Sequence, residues 1–190
     1  MPAFGLTAGT RVATATGWRP VEAVTVGDRV LTFDAGLQLV TAVERVWFDG
    51  TGAMAAAQKP LRVPPQALGN HAEMVLLPDQ PVIFEADCAE ELFGDPFALL
   101  PAAALEGYRG IERFRPVDPL EIVSLSFESD QVVFANLGAL FFCPVRTQDA
   151  GTLIQSGDTV ITSPYTPLPM DIAEALVSLA ERDARQARQV

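Results

Sequence analysis

"AFGLTAGTRVATATGWRPVEAVTVGDRVLTF" runs from Ala3 to Phe33, and its rhythm decides the fold. Short β-type runs ("RVATAT", "RPVEAVTVGDRVLTFD", then "LQLVTAVERVWF") are broken at Gly17 and Gly36. Turn signals recur at a spacing of about 8 to 12 residues, which suits an all-β domain rather than crossover strand–helix–strand units. Gly27 and Asp28 are predicted to turn the chain between two strand-like pieces, with Val26, Val30 and Leu31 facing a core.

Beyond this opening, "TGAMAAAQKP" (51–60) is rich in small residues and reads equally as a loop or a strained short helix. "PLRVPPQAL" carries three prolines, which forbid a central strand through most of it. "AEMVLLPDQPVIFE" gives two apolar runs around the turn Pro78, Asp79, Gln80, Pro81. From Cys88 to Tyr108 the Ala- and Leu-rich composition, with Asp95 before Pro96, predicts short helical turns. "LEIVSLSF" and "QVVFANLGALFF" alternate like strands and are expected to pair as a hairpin around "ESD". Last, "DIAEALVSLAERDARQARQV" places Ile172, Ala175, Leu176, Leu179 and Ala180 at helical spacing behind an Asp171 cap. The expected organisation is a β domain over 1–145, a linker or extra β segment over 146–170, and a helix over 171–190.

Bulk composition narrows the partners. With 190 residues, 49% of them hydrophobic, the chain has material for one real core. A net charge of −11, from 24 acids against 13 bases, argues against nucleic acid and anionic membrane surfaces, because both need clustered Lys and Arg. No apolar run approaches the roughly 20 residues of a membrane span. Met1 to Thr10 lacks the basic and apolar regions of an export signal, so a cytoplasmic location is the expectation; a C-terminal export signal escapes this test. Cys88, Cys143 and the single His71 are too scattered for a zinc site, and no cofactor or metal is expected.

The pieces "GLTAGTRVATATGWRPVEAVTVGDRVLTF", "PLRVPPQALG", "MVLLPDQPVIFE", "PAAALEG", "LEIVSLSF" and "VVFANLGALFF", in that order, resemble the bacterial Hedgehog/intein, or Hint, domains. The likeness covers Gly5 to Pro144 and leaves the C-terminal helix outside. It implies an all-β, Hint-like disc of pseudo-twofold β-hairpins whose two ends meet near one centre. It also implies a chemistry, the acyl shift, in which a first Cys or Ser attacks the preceding carbonyl.

That chemistry needs a nucleophile and a proton donor for the departing nitrogen. The family's nucleophile position falls on Gly5, which has no side chain. The His of its Thr/Ser-x-x-His segment falls on Gln80, within Leu77, Pro78, Asp79, Gln80. A later family His falls on Gln131. Glutamine cannot transfer a proton near neutral pH, a deficit of roughly 10²–10⁴ in rate.

The resemblance therefore predicts a vestigial centre at Gly5, Gln80 and Gln131, with no catalytic residue. A ligand cleft would be lined by Thr7, Thr10, Leu77, Asp79 and Gln80, and the expected role is a protein-interaction or ligand-binding module. The alternative is an autoproteolytic or hydrolytic enzyme with a non-standard nucleophile in that cleft. Thr7 and Thr10 read better as turn hydrogen-bonders, His71 as a solvated loop residue, and Cys143 as a buried structural thiol. Expected partners are a protein or peptide, or a second copy through the C-terminal helix, whose Ala-rich face also suits docking on its own domain.

Overall fold

The computed structural model describes residues 4–50, 54–145 and 165–187. In chain order the strands are β1 (Leu6–Thr7), β2 (Arg11–Thr14), β3 (Gly17–Pro20), β4 (Arg29–Thr32), β5 (Gly36–Leu39), β6 (Ala42–Phe48) and β7 (Leu61–Val63). There follow β8 (Met74–Leu76), β9 (Pro81–Glu85), β10 (Phe97–Pro101), β11 (Glu112–Arg113), β12 (Leu120–Ser126), β13 (Gln131–Ala135) and β14 (Ala139–Cys143). Helix α1 (Asp87–Phe93) sits between β9 and β10, and helix α2 (Met170–Ala187) ends the described chain.

Among the described residues the strands form three antiparallel sheets. One runs β1-β12-β6, one runs β10-β9-β14-β13-β2-β4-β5 with β3 paired to β2, and one runs β11-β7-β8. The all-β, Hint-like architecture with one C-terminal helix is what the sequence predicts.

Local turn chemistry explains the bends, although the piece before Gly27 is a 3-10 turn at Val21–Ala23 rather than the strand expected there. Thr25 and Asp28 close the turn at Gly27: the Asp28 amide donates to the Thr25 carbonyl at 3.1 Å, and the Asp28 carboxylate accepts from the Thr25 amide at 2.8 Å. Those amide and hydroxyl bonds from Thr25, with Arg19 beside them, hold the Asp28 carboxyl below its ordinary range. Between β13 and β14 three residues turn the chain: Asn136 and Leu137 both take positive φ (45° and 72°) and the Gly138 amide donates to the Ala135 carbonyl at 3.1 Å, a left-handed pair whose twist matches that of the strands. Gly138 follows because a Cβ there would land on the Gly69 carbonyl oxygen.

Four expectations are corrected. Val30 is buried, but Val26 is 62% exposed and Leu31 is half-exposed. Adjacent strand residues point to opposite faces, so Val30 and Leu31 cannot both enter the core. The expected β12–β13 hairpin is absent: β12 lies between β1 and β6, both its edges are taken, and β13 pairs with β14.

Within Cys88–Tyr108, Phe97–Pro101 is a strand in register with β9 rather than a helical turn, and Asp95 accepts the Phe97 amide at 2.8 Å. On α2 the buried residues are Ala173, Leu176 and Val177, with Leu179 and Ala180 partly buried against the same core, while Ile172 and Ala175 face solvent. Leu176, Leu179 and Ala180 of the expected stripe thus meet the core, and Ala173 and Val177 take the places of Ile172 and Ala175. Ala173, Leu176 and Val177 join the main core of the β module, so α2 docks on its own chain.

Two readings are sharpened. β7 occupies the three-residue window between Pro60 and Pro64, short enough to be a central strand without a proline inside it. The described part of "TGAMAAAQKP" contains a 3-10 turn at Ala56–Gln58. Arg113 caps that turn, donating to the Ala57 carbonyl at 2.8 Å and pairing with Glu106 at 2.6 Å. The expected linker falls mostly on 146–164, outside the described residues.

Candidate functional site

The turn Leu77–Gln80 is closed by the Gln80 amide donating to the Leu77 carbonyl at 3.0 Å. It is pinned from outside by the 3-10 turn Ala102–Leu105, whose Ala102 and Ala103 amides donate to the carbonyls of Gln80 (2.9 Å) and Pro78 (2.8 Å). Pro78 presets the bend, and the Gln80 side chain is driven inward until it is 1% exposed.

There it joins both ends of the β module. Gln80 Oε1 accepts the Gly5 amide at 2.7 Å. Gln80 Nε2 donates to the Pro81 carbonyl at 3.0 Å and to the Phe142 carbonyl at 3.1 Å. The orientation of this amide is dictated by its partners: two carbonyls require the NH₂ group, which leaves only the oxygen for Gly5. The group facing the Gly5 nitrogen therefore accepts a hydrogen bond and has no proton to give.

The carbonyl of the same peptide bond is held as well. Ser124 Oγ, on β12, donates to the Phe4 carbonyl at 2.7 Å. The Phe4–Gly5 peptide is thus gripped at its oxygen by Ser124 and at its nitrogen by Gln80. A Cβ on Gly5 would lie 2.5 Å from Ile122 Cγ2 and 2.9 Å from Ser124 Oγ, so β12 fills the space a side chain would need. Ser124 was not singled out from the sequence, since a serine alternating in a strand carries no local mark of what lies opposite it.

The remaining predicted residues are dispersed around this peptide. Thr7 Oγ1 donates to the Val75 carbonyl at 3.1 Å and lies 3.3 Å from Thr10 Oγ1, so both hydroxyls close a buried hydrogen-bond chain between β1 and β8. Leu77 packs with Phe48 and Ile122 in a small apolar cluster. Asp79 points outward and lines a cavity of about 720 Å³ between its turn and α2, with Glu174 and Val177 on the far wall.

Gln131 is buried on β13 opposite Cys143, and its side-chain amide donates to Ser129 Oγ at 2.9 Å. Gly5 and Gln80 are joined by a direct hydrogen bond. Asn136, in the segment "ANLG", is a structural hub: its Oδ1 accepts the Arg11 amide, its own amide donates to the Arg11 carbonyl, and its carbonyl accepts the His71 amide, each at 2.8 Å. The His71 side chain is exposed in that loop.

Neither thiol is poised to react. Cys143 is buried on β14, where desolvation pushes its pKa up to about 12. Cys88 is raised as well, by burial first and then by nearby Asp183. Among the described residues no group of three or more His, Cys, Asp or Glu could hold a metal ion, and no helix is long and apolar enough to cross a membrane.

The fold agrees with comparisons to known proteins. The fold is similar to the solution structure of a bacterial intein-like domain from Clostridium thermocellum, at 14% identity and a TM-score of 0.52 over 73% of this chain and 97% of that one. The crystal structure of the MchDnaB-1 intein (N145AA) gives 16% identity and a TM-score of 0.47 over 74% of this chain and 99% of its own. No curated protein sequence matches the chain. The Hint domain family model, however, matches residues 4–140, and with that match spanning most of its length the chain belongs to the Hint domain family.

Proposed function

We propose that this chain is a non-processing Hint domain, acting as a protein-interaction or ligand-binding module. The observation that carries the reading is the Gln80 side chain. Its amide is saturated by Gly5, Pro81 and Phe142, in an orientation that offers an acceptor, not a proton, to the nitrogen that would have to leave. Amide expulsion without protonation is prohibitively uphill. The packing of Ile122 and Ser124 around Gly5 supports the same reading, because restoring a thiol or hydroxyl there would need the strand to shift.

The Ser124 hydroxyl favours one second reading, self-cleavage through a nucleophile other than the first residue. Ser124 Oγ would bond to the Phe4 carbonyl carbon, the Phe4–Gly5 C–N bond would break, and the hydroxyl proton would pass to the Gly5 nitrogen. Gln80 Oε1 already occupies that nitrogen's hydrogen-bonding direction and relays no proton, which disfavours the final transfer.

Both readings are separated by one experiment. Purified full chain is incubated with dithiothreitol or hydroxylamine at neutral pH and weighed by intact-mass spectrometry. An unchanged mass is expected. A discrete product beginning at Gly5, lost in Ser124→Ala, would establish the second reading and overturn the first.

A further inference from the structure

On the large sheet, four aromatic rings from four separate segments line one cavity of about 470 Å³: Phe33 after β4, Phe93 at the end of α1, Phe97 at the start of β10, and Tyr165 ahead of α2. Phe33 and Phe97 meet edge to face with centroids 5.1 Å apart, so their arrangement is fixed by mutual packing. Phe93 is 49% exposed and Phe33 37%. Two large apolar rings standing open around one hollow are unusual on a surface that could have buried them.

Among the described residues the rim supplies charge of one sign only: Asp34 and Asp95 both line the cavity, and no Lys or Arg does. Asp95 is fixed by accepting the Phe97 amide through Oδ1 at 2.8 Å. Gly94, at φ 79°, returns the chain after α1 and brings Asp95 beside Phe93.

We propose that this cavity binds an organic cation, an alkylammonium or guanidinium group, presented either as a free small molecule or as the side chain of a basic peptide. Ring faces attract a cation through their quadrupole while receiving its apolar stem, and the two carboxylates select positive charge over a neutral isostere. The whole-molecule charge of −11 adds a field of the same preference. Among the described residues that line it, the cavity takes none from the Phe4–Gly5 peptide or from its partners Gln80 and Ser124.

The test is a titration of the full chain with n-butylguanidinium, followed by aromatic proton–carbon correlation spectra, with uncharged n-butylurea as the isosteric control. A peptide carrying one central arginine forms a third arm. Saturable shifts at Phe93 and Tyr165 are expected with the cation, weakening as salt is added, and butylurea is expected to bind at least several-fold more weakly.

Phe93→Leu keeps an apolar wall and should weaken the cation about 2- to 5-fold, the range of an exposed cation–π contact, while leaving butylurea unchanged. Asp34→Asn with Asp95→Asn retains the acceptor for the Phe97 amide and should also weaken the cation alone. Peptide binding tighter than butylguanidinium supports the site and assigns a macromolecular source; equal binding supports it with a free cation. Equal affinity for cation and urea, or indifference to both variants in correctly folded protein, overturns the proposal.

Discussion

Gln80 shows how much one buried side chain can organise. Removing it in Gln80→Ala would leave the Gly5 amide and two carbonyls without partners in a dry interior, and each orphaned group is costly. The expected loss is about 3 kcal/mol of stability, read from urea denaturation at constant m-value.

Gly5 gives the complementary case of overpacking. Gly5→Ala should destabilise by about 1–3 kcal/mol, because its methyl meets Ile122 Cγ2 on a central strand. Combined with Ile122→Ala the two effects should be less than additive, and a double-mutant cycle measures that coupling.

Cys143 carries a pH signature. Its pKa rises from the ordinary 9.0 to about 12 in the folded state, so the native chain binds the proton more tightly than the unfolded chain. The associated stability is fully present below pH 9 and is lost as pH climbs toward 12. Stability of the parent should therefore fall across that window more steeply than that of Cys143→Ala.

At the scale of elements, the β13–β14 hairpin holds a residue at odds with its own backbone. Leu137 sits at φ 72°, a conformation that penalises any Cβ, and its side chain is half exposed. Leu137→Gly should raise stability by about 0.5–1 kcal/mol, seen as a higher midpoint of thermal unfolding.

Elements are also where the sequence speaks most clearly, and where it stops. Gly17 and Gly36 mark the β2–β3 and β4–β5 hairpins, and Gly27 with Asp28 and Pro78 mark bends between elements that do not pair, because turn geometry is local and only a few residues satisfy it. The partner of β12 was not legible: "LEIVSLSF" has the same alternation whether it pairs with β13 or between β1 and β6, and that choice is made by packing of residues far apart in the chain. Likewise the apolar stripe of α2 contains two overlapping sets at helical spacing, and only the surface it docks on selects Ala173, Leu176 and Val177.

For the molecule as a whole, the candidate site was half legible. Gly5 and Gln80 were found because the family's motif supplies fixed offsets for them. Ser124 was missed, because which strand faces the Phe4–Gly5 peptide is a property of the assembled sheets. The same assembly has a topological consequence. Gln80 ties the amide at the head of β1 to the carbonyl of Phe142 near the tail of β14, so the two ends of the β module lie within a single side chain's reach.

A closed loop of fold is thus already nearly drawn, and the polypeptide could be re-threaded. Joining residue 145 to residue 4 through a bridge of three or four glycines, each spanning at most roughly 3.5 Å, and reopening the chain at the exposed Glu128–Ser129 corner, should yield a circular permutant. Its circular dichroism spectrum should match that of a linear 4–145 control, which likewise lacks α2 and its core residues Ala173, Leu176 and Val177; a permutant that collapses or aggregates where that control folds would mean that the order of synthesis, not the proximity of the ends, governs how the sheets find one another.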